Sequence, residues 1–271
     1  SAEAALPLRL QVSAPLDANT SAAAKNQDQW QISLGSVASL NLVRDIAGSA
    51  PRVLRGTMAL GSGALDSMAM PNQGMSAKLN LETLDVDTWS VLFSGVGASV
   101  GTRKKINTPQ FDLGVDFLPN ALQVRAREIS WSGHAAHAVN LKATRIGNLW
   151  RAQAETTEFS GQLEYRQAGL GGTAADINNA GRLYARLSRL TLNNSAAQEV
   201  DKLLDEQPSS IPALDVVAEE FELQGRKLGR LEVEAVNQVS SAARDTQREW
   251  LLKRFNVTMP EAVLNASGSW R

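Results

Sequence analysis

The chain contains no cysteine. Disulfides, cysteine nucleophiles and thiolate metal sites are therefore excluded. An excess of positive charge is also missing. Lys and Arg number 27 against 28 Asp and Glu, for a formal charge of −1, so nothing global draws in a polyanion and nucleic acid is not an expected partner. The local run Arg103-Lys104-Lys105 reads as a solvated turn. Long apolar runs are absent too. No uncharged stretch is longer than that of residues 88–102, which holds several glycines and is short of the ~20 apolar residues that span a bilayer. The opening "SAEAALPLRL" has neither a basic region nor an apolar core, so it is not a signal peptide; it starts in mid-pattern, as an excised fragment would. Helices are scarce. Asp87 is placed to cap a short helix over residues 87–94, and Ser195 to cap "AAQEVDKLLDEQ", with Pro208 just beyond its end.

What remains is alternation. Leu8, Leu10 and Val12 alternate with Arg9 and Gln11. The same period of two runs through Trp30, Ile32 and Leu34; Ala77, Leu79 and Leu81; Phe111, Leu113, Val115 and Phe117; Leu122, Val124 and Ala126; Leu183, Ala185 and Leu187; and Phe255, Val257 and Met259. Each run is bounded by Gly, Pro, Asn or Asp. Successive side chains on a strand point to opposite faces, so each run has one oily side and one wet side. The pattern predicts a mainly β protein, an antiparallel sheet of many strands with one or two short helices. Two short helices cannot cover such a sheet. The expected division is residues 1–194, holding the helix near 87–94, and 195–271, a short helix and a further β unit continuous with the first.

Part of the pattern repeats. "ISWSGHAAHAVNLKA" (129–143) aligns with "FELQGRKLGRLEVEA" (221–235) on Gly133 and Gly225. Val139, Leu141 and Ala143 then match Leu231, Val233 and Ala235. Both copies reach a Trp, Trp150 or Trp250, and close on a Gly with an apolar residue two further on, Gly161 or Gly268. A fainter copy runs from Leu8 through Trp30 to Gly56 and Met58. Repeated β units of this kind build an extended sheet, because each unit completes its neighbour's ladder.

Catalytic and metal motifs are weak by comparison. His134 and His137, the only histidines, occupy the turn where the other copy carries Arg226 and Gly229, with no obvious carboxylate partner or third ligand, so no metal is expected. "GASVG" (97–101) matches a nucleophile elbow around Ser99, followed by Asp112, Asp116 or Glu128 and then His137. An elbow needs a strand before the serine and a helix after it, and the surroundings offer the reverse. The pairs Asp85/Asp87 and Glu219/Glu220 read as a cap and a solvated face. No enzyme and no cofactor are expected.

The segments "LWRAQAETTEFSGQLEYR" and "GRLYARLSRLTLN", and "SSIPALDVVAEEFELQGRKLGRLEVEAVNQ" followed by "EWLLKRFNVTMPEAVLNASGSW", resemble the C-terminal region of YhdP-like proteins of the AsmA-like group. That group in turn resembles TamB and bridge-like lipid-transfer proteins. "LNLETLDVDTWSVLF" is similar to the family's short segment around a Trp. The resemblance is best from residue 75 onward and rests on Leu, Trp and Gly patterns. It implies a periplasmic segment of a protein anchored in the bacterial inner membrane through parts outside this chain. It also implies a long curved sheet whose apolar floor carries phospholipid toward the outer membrane. The residues expected to line that groove are Phe111, Leu113, Val115, Phe117, Leu141, Leu187, Leu231, Val233, Phe255 and Val257. The alternative is a closed β-sandwich or barrel, an envelope scaffold that pairs with other envelope proteins by strand addition.

Overall fold

The computed structural model describes residues 6–14, 26–62, 68–89, 118–131, 133–167, 181–192, 212–239 and 248–270. The backbone forms two compact units, Ser1–Ala135 and Ala136–Arg271. The break expected at residues 194–195 falls outside the described residues. So do Ser99, the run from Phe111 to Phe117 and the helix expected after Ser195.

In the first unit the strands are β1 (Leu8–Ser13), β2 (Gln27–Leu34), β3 (Ala38–Asp45), β4 (Arg52–Gly61), β5 (Gly74–Asp85) and β6 (Pro119–Trp131). They lie side by side in sequence order. In the second unit β7 (His134–Ile146), which begins two residues before the division, is followed by β8 (Leu149–Glu155), β9 (Phe159–Arg166), β10 (Arg182–Leu192), β11 (Ala213–Leu223), β12 (Arg226–Val239), β13 (Arg248–Thr258) and β14 (Val263–Trp270). These too are in sequence order. Nothing pairs β1 with β6 or β7 with β14, so neither sheet closes on itself. The closed sandwich or barrel is therefore not the architecture.

The sheets are nearly all β, as the alternation predicts, but they are mixed rather than antiparallel. β4 with β5, β5 with β6, and β10 with β11 run parallel. Antiparallel neighbours can be joined by a tight turn, whereas parallel neighbours need the chain to cross back over the sheet, which takes a dozen residues or more. The three parallel pairs are joined by the connections 62–73, 86–118 and 193–212, long enough for such a return. Length alone does not set direction, because 14–26 and 167–181 are no shorter than 62–73 and join antiparallel neighbours. Alternation reports which face a side chain takes and is silent on the direction of the neighbouring strand.

The short helix also differs from expectation. The helical turn is Val86–Trp89, and its cap is Asp85, not Asp87. The Asp85 carboxylate accepts from the Asp87 and Thr88 backbone N–H groups at 3.0 and 3.1 Å and from the Thr88 hydroxyl at 2.9 Å. Those bonds, the Thr88 backbone bond first, hold its pKa below the usual carboxylate value. Asp85 ends β5 and caps in the same residue.

The two clear repeat copies fold alike from the Gly turn onward. Gln224 and Gly225, at φ 53° and 76°, make the two-residue turn between β11 and β12, and both left-handed positions match the twist of a hairpin. Gly133, at φ 82°, takes the same backbone region. The Trp strand β8 pairs with β9, and the Trp strand β13 with β14. The third copy is not equivalent: β3 intervenes between Trp30 on β2 and Gly56 on β4.

Candidate functional site

Register converts the alternating runs into faces. In the second unit Leu141, Ala154, Gly161, Leu187, Ala218, Leu231, Val257 and Leu264 are direct partners in turn from β7 to β14. One row along, Ala143, Ala152, Leu163, Ala185, Val216, Val233, Phe255 and Ala266 do the same. Directly opposed residues share a face. Two adjacent apolar rows therefore cross the whole unit without a polar interruption. Ala185, Leu187, Ala218, Phe221, Leu231 and Val257 form its buried cluster, with Leu163, Val216, Val233 and Phe255 half-buried against it. Burying a side chain of this size contributes about 1.5–3 kcal/mol, so the rows are also the unit's core.

The first unit carries the same device. Leu10, Ile32, Leu40, Met58, Ala77 and Leu122 make one row from β1 to β6, and Leu8, Leu34, Ala38, Leu60, Leu79 and Val124 the next. At the edge the face is open: Leu8 and Leu10 on β1 are 70% and 58% exposed.

Six of the ten candidate lining residues are described, and all six lie on the apolar face of the second unit. Leu141, Leu187, Leu231 and Val257 share one row; Val233 and Phe255 share the next. Phe111, Leu113, Val115 and Phe117 lie outside the described residues. The small residues of the same rows are absent from the expected lining: Ala154 and Ala218 stand in none of the alternating runs above, Ala185 stands only in such a run and Gly161 only as the close of a repeat. Small residues carry little hydrophobic signal alone, and the register is what sets them in the rows. Gly161 is required there. At φ 150°, a side chain on it would run into the Arg186 carbonyl, with Leu187 Cα only 2.7 Å away. Gly268, its counterpart in the other copy, has open space around it.

The opposite face of the second unit is charged and paired. Arg151 bonds Glu164 at 2.9 Å, Arg186 bonds Asp215 at 2.9 Å, and Arg254 lies 3.7 Å from Glu232 and 3.8 Å from Glu234. Arg230 reaches Glu232 at 3.0 Å. Such exposed pairs contribute little energy each but fix which face is wet.

Two further polar clusters stand out. In the first unit the buried Asp28 accepts from Arg44 Nε at 2.9 Å and Trp30 Nε1 at 2.9 Å, while the Arg44 guanidinium lies 4.3 Å over the Trp30 ring. The Arg44 hydrogen bond, against an opposing push from burial, holds the Asp28 pKa below the usual carboxylate range. Asp28 and Trp30 are two residues apart on β2, so this cluster stands on the apolar side and ends it with a satisfied charge. In the second unit His137 does have the carboxylate partner that the sequence did not reveal. Its Nδ1 lies 2.6 Å from Glu158 Oε1, and its backbone N–H donates to Oε2 at 2.8 Å. Burial pushes Glu158 up, and the bonds from His137 more than offset it, leaving the carboxyl below its ordinary value. Among the described residues no group of three His, Asp or Glu side chains is placed to hold a metal. Among them, too, no helix is long and apolar enough to cross a membrane.

No curated protein and no solved structure matches this chain. The family comparison is different, because the model described as "YhdP protein" matches residues 2–271. That match spans all the described strands of both units, and with it the chain belongs to the YhdP family of bacterial envelope proteins.

Proposed function

We propose that this chain is a periplasmic segment of an inner-membrane-anchored protein, that it holds phospholipid acyl chains on the apolar faces of its sheets, and that it helps lipid pass between the inner and outer membranes. The observation that carries this reading is the pair of adjacent apolar rows in each unit. Acyl chains need a continuous dry floor and no fixed polar partners. Each buried CH₂ contributes about 0.8 kcal/mol. A floor of Leu, Val, Ala and Phe spreads that energy over many positions, so a tail slides from one strand to the next without any one residue holding it. The family supports the envelope setting, and it is not a known enzyme family.

The test is site-specific photo-crosslinking in a bacterial host. A benzophenone side chain replacing Phe255 faces the apolar rows; one replacing Arg254 faces the charged side. A phospholipid adduct at position 255 and none at 254 is the expected result. Equal labelling at both positions, or at neither, refutes the floor.

A further inference from the structure

A concavity of about 470 Å³ opens in the second unit, lined by Leu149, Glu164, Arg166, Arg182, Tyr184 and Asp215. It belongs to the charged face, not to the apolar rows, since Arg151, Glu164, Tyr184 and Asp215 are successive cross-strand partners. Its two carboxylates are already matched from outside the lining, Glu164 by Arg151 and Asp215 by Arg186, each at 2.9 Å. Arg186 also lies 3.8 Å over the Tyr184 ring. Its two arginines are not matched. Arg166 and Arg182 make no ion pair among the described residues, and they stand directly opposite each other across β9 and β10. Like charges in that position destabilise a sheet. The other like-charged pair opposed on this face, Asp215 and Glu234, is answered by cations, Arg186 for the first and Arg254 for the second. Among the described residues the Arg166–Arg182 pair has no counterion. A like-charged pair left without counterions on a face whose other charges are answered is the mark of a site.

We propose that this concavity binds a phosphate group, gripped between Arg166 and Arg182. Side chains on directly opposed residues leave their strands about 4.5–5.5 Å apart, close enough for both guanidinium forks to converge on one tetrahedral anion. Each planar fork matches two phosphate oxygens. A phosphomonoester carries about −1.5 to −2 at neutral pH, which answers two unmatched positive charges. The carboxylates nearby do not compete, because Arg151 and Arg186 hold them. The 39% exposed Tyr184 offers a surface for whatever the phosphate is attached to. This site lies on the face opposite the proposed lipid floor and stands or falls independently of it.

The experiment is calorimetric titration of the 271-residue chain with inorganic phosphate and with glycerol phosphate at low salt. It is paired with co-sedimentation on phosphatidylglycerol and phosphatidylcholine vesicles. One phosphate should bind per chain. Arg166→Gln should weaken binding by about ten-fold or more. Arg182→Glu should abolish it while folding at least as well, because it sets a carboxylate opposite Arg166. Arg254→Gln, on the same face but outside the concavity, should bind as the parent does. Binding of the soluble phosphates makes the ligand a free phosphate compound. Sedimentation with phosphatidylglycerol alone, lost in Arg182→Glu, makes it a lipid headgroup. If neither phosphates nor vesicles bind, or if Arg182→Glu binds unchanged, the proposal is overturned.

Discussion

The two units make the same apolar face and different opposite ones. Each aligns two rows of Leu, Val, Ala, Met or Phe across successive strands. Opposite them, the first unit presents a neutral row, Gln11, Gln31, Asn41, Thr57 and Ser76. The second presents the row Arg151, Glu164, Tyr184, Asp215, Glu234 and Arg254. The apolar side is thus set by period and register alone. The other side is an exposed set of ion pairs in the second unit, whereas in the first Val43, Thr57 and Ala59 on it are buried. The first unit concentrates its strongest charge pairing in one buried cluster, Asp28–Arg44–Trp30, whereas the second spreads its pairs over an exposed face.

The largest expected effect breaks the shared feature. Leu231 is 4% exposed at the middle of the second unit's buried cluster. Leu231→Asp buries an unpaired carboxylate and should cost about 4 kcal/mol or more, read as a loss of the second unit's cooperative denaturant transition. Next comes a contrast between the repeat copies. Gly161→Ala meets the Arg186 carbonyl at a left-handed φ and should cost about 2–3 kcal/mol. Gly268→Ala meets nothing and should be neutral or stabilise by about 0.5 kcal/mol. Equal destabilisation by the two would place the crowding elsewhere.

A smaller effect separates the units. Asp28→Asn removes the carboxylate that satisfies Arg44 and should cost about 1–3 kcal/mol at neutral pH. Because the native pKa of Asp28 is lowered, its contribution is complete above about pH 4. It is lost as the pH falls through the lowered native value. The gap between parent and variant, measured by urea denaturation, should therefore close in acid. The smallest effect belongs to the charged face. Arg254→Gln should change stability by no more than about 0.5 kcal/mol, and less at high salt.

Much of this was legible before the structure. The runs at Leu8, Trp30, Ala77, Leu122, Leu183 and Phe255 each lie in a strand. Leu141, Leu187, Leu231, Val233, Phe255 and Val257 share one face because a period of two fixes side before register is known. What escaped were facts that depend on partners. Parallel pairing at β4–β5, β5–β6 and β10–β11 depends on where long connections return. The buried alanines take their meaning from neighbours across the sheet. Asp85 took the cap from Asp87 because β5 runs to Asp85 and the helical turn follows it at once. That puts the Asp85 carboxylate within reach of the Asp87 and Thr88 N–H groups. The pairing of His137 with Glu158 spans a hairpin and leaves no local trace.

The central claim is that the apolar rows carry lipid. It is tested most directly by purifying the chain from a bacterial host, extracting it with organic solvent and weighing the extract by mass spectrometry. Val233 is the position to vary, since it is half-buried and so folds more readily with a charge than Leu231 would. The account predicts near-stoichiometric phospholipid on the parent chain and several-fold less on a folded Val233→Asp variant. A folded, monomeric parent chain that comes out free of lipid would contradict it.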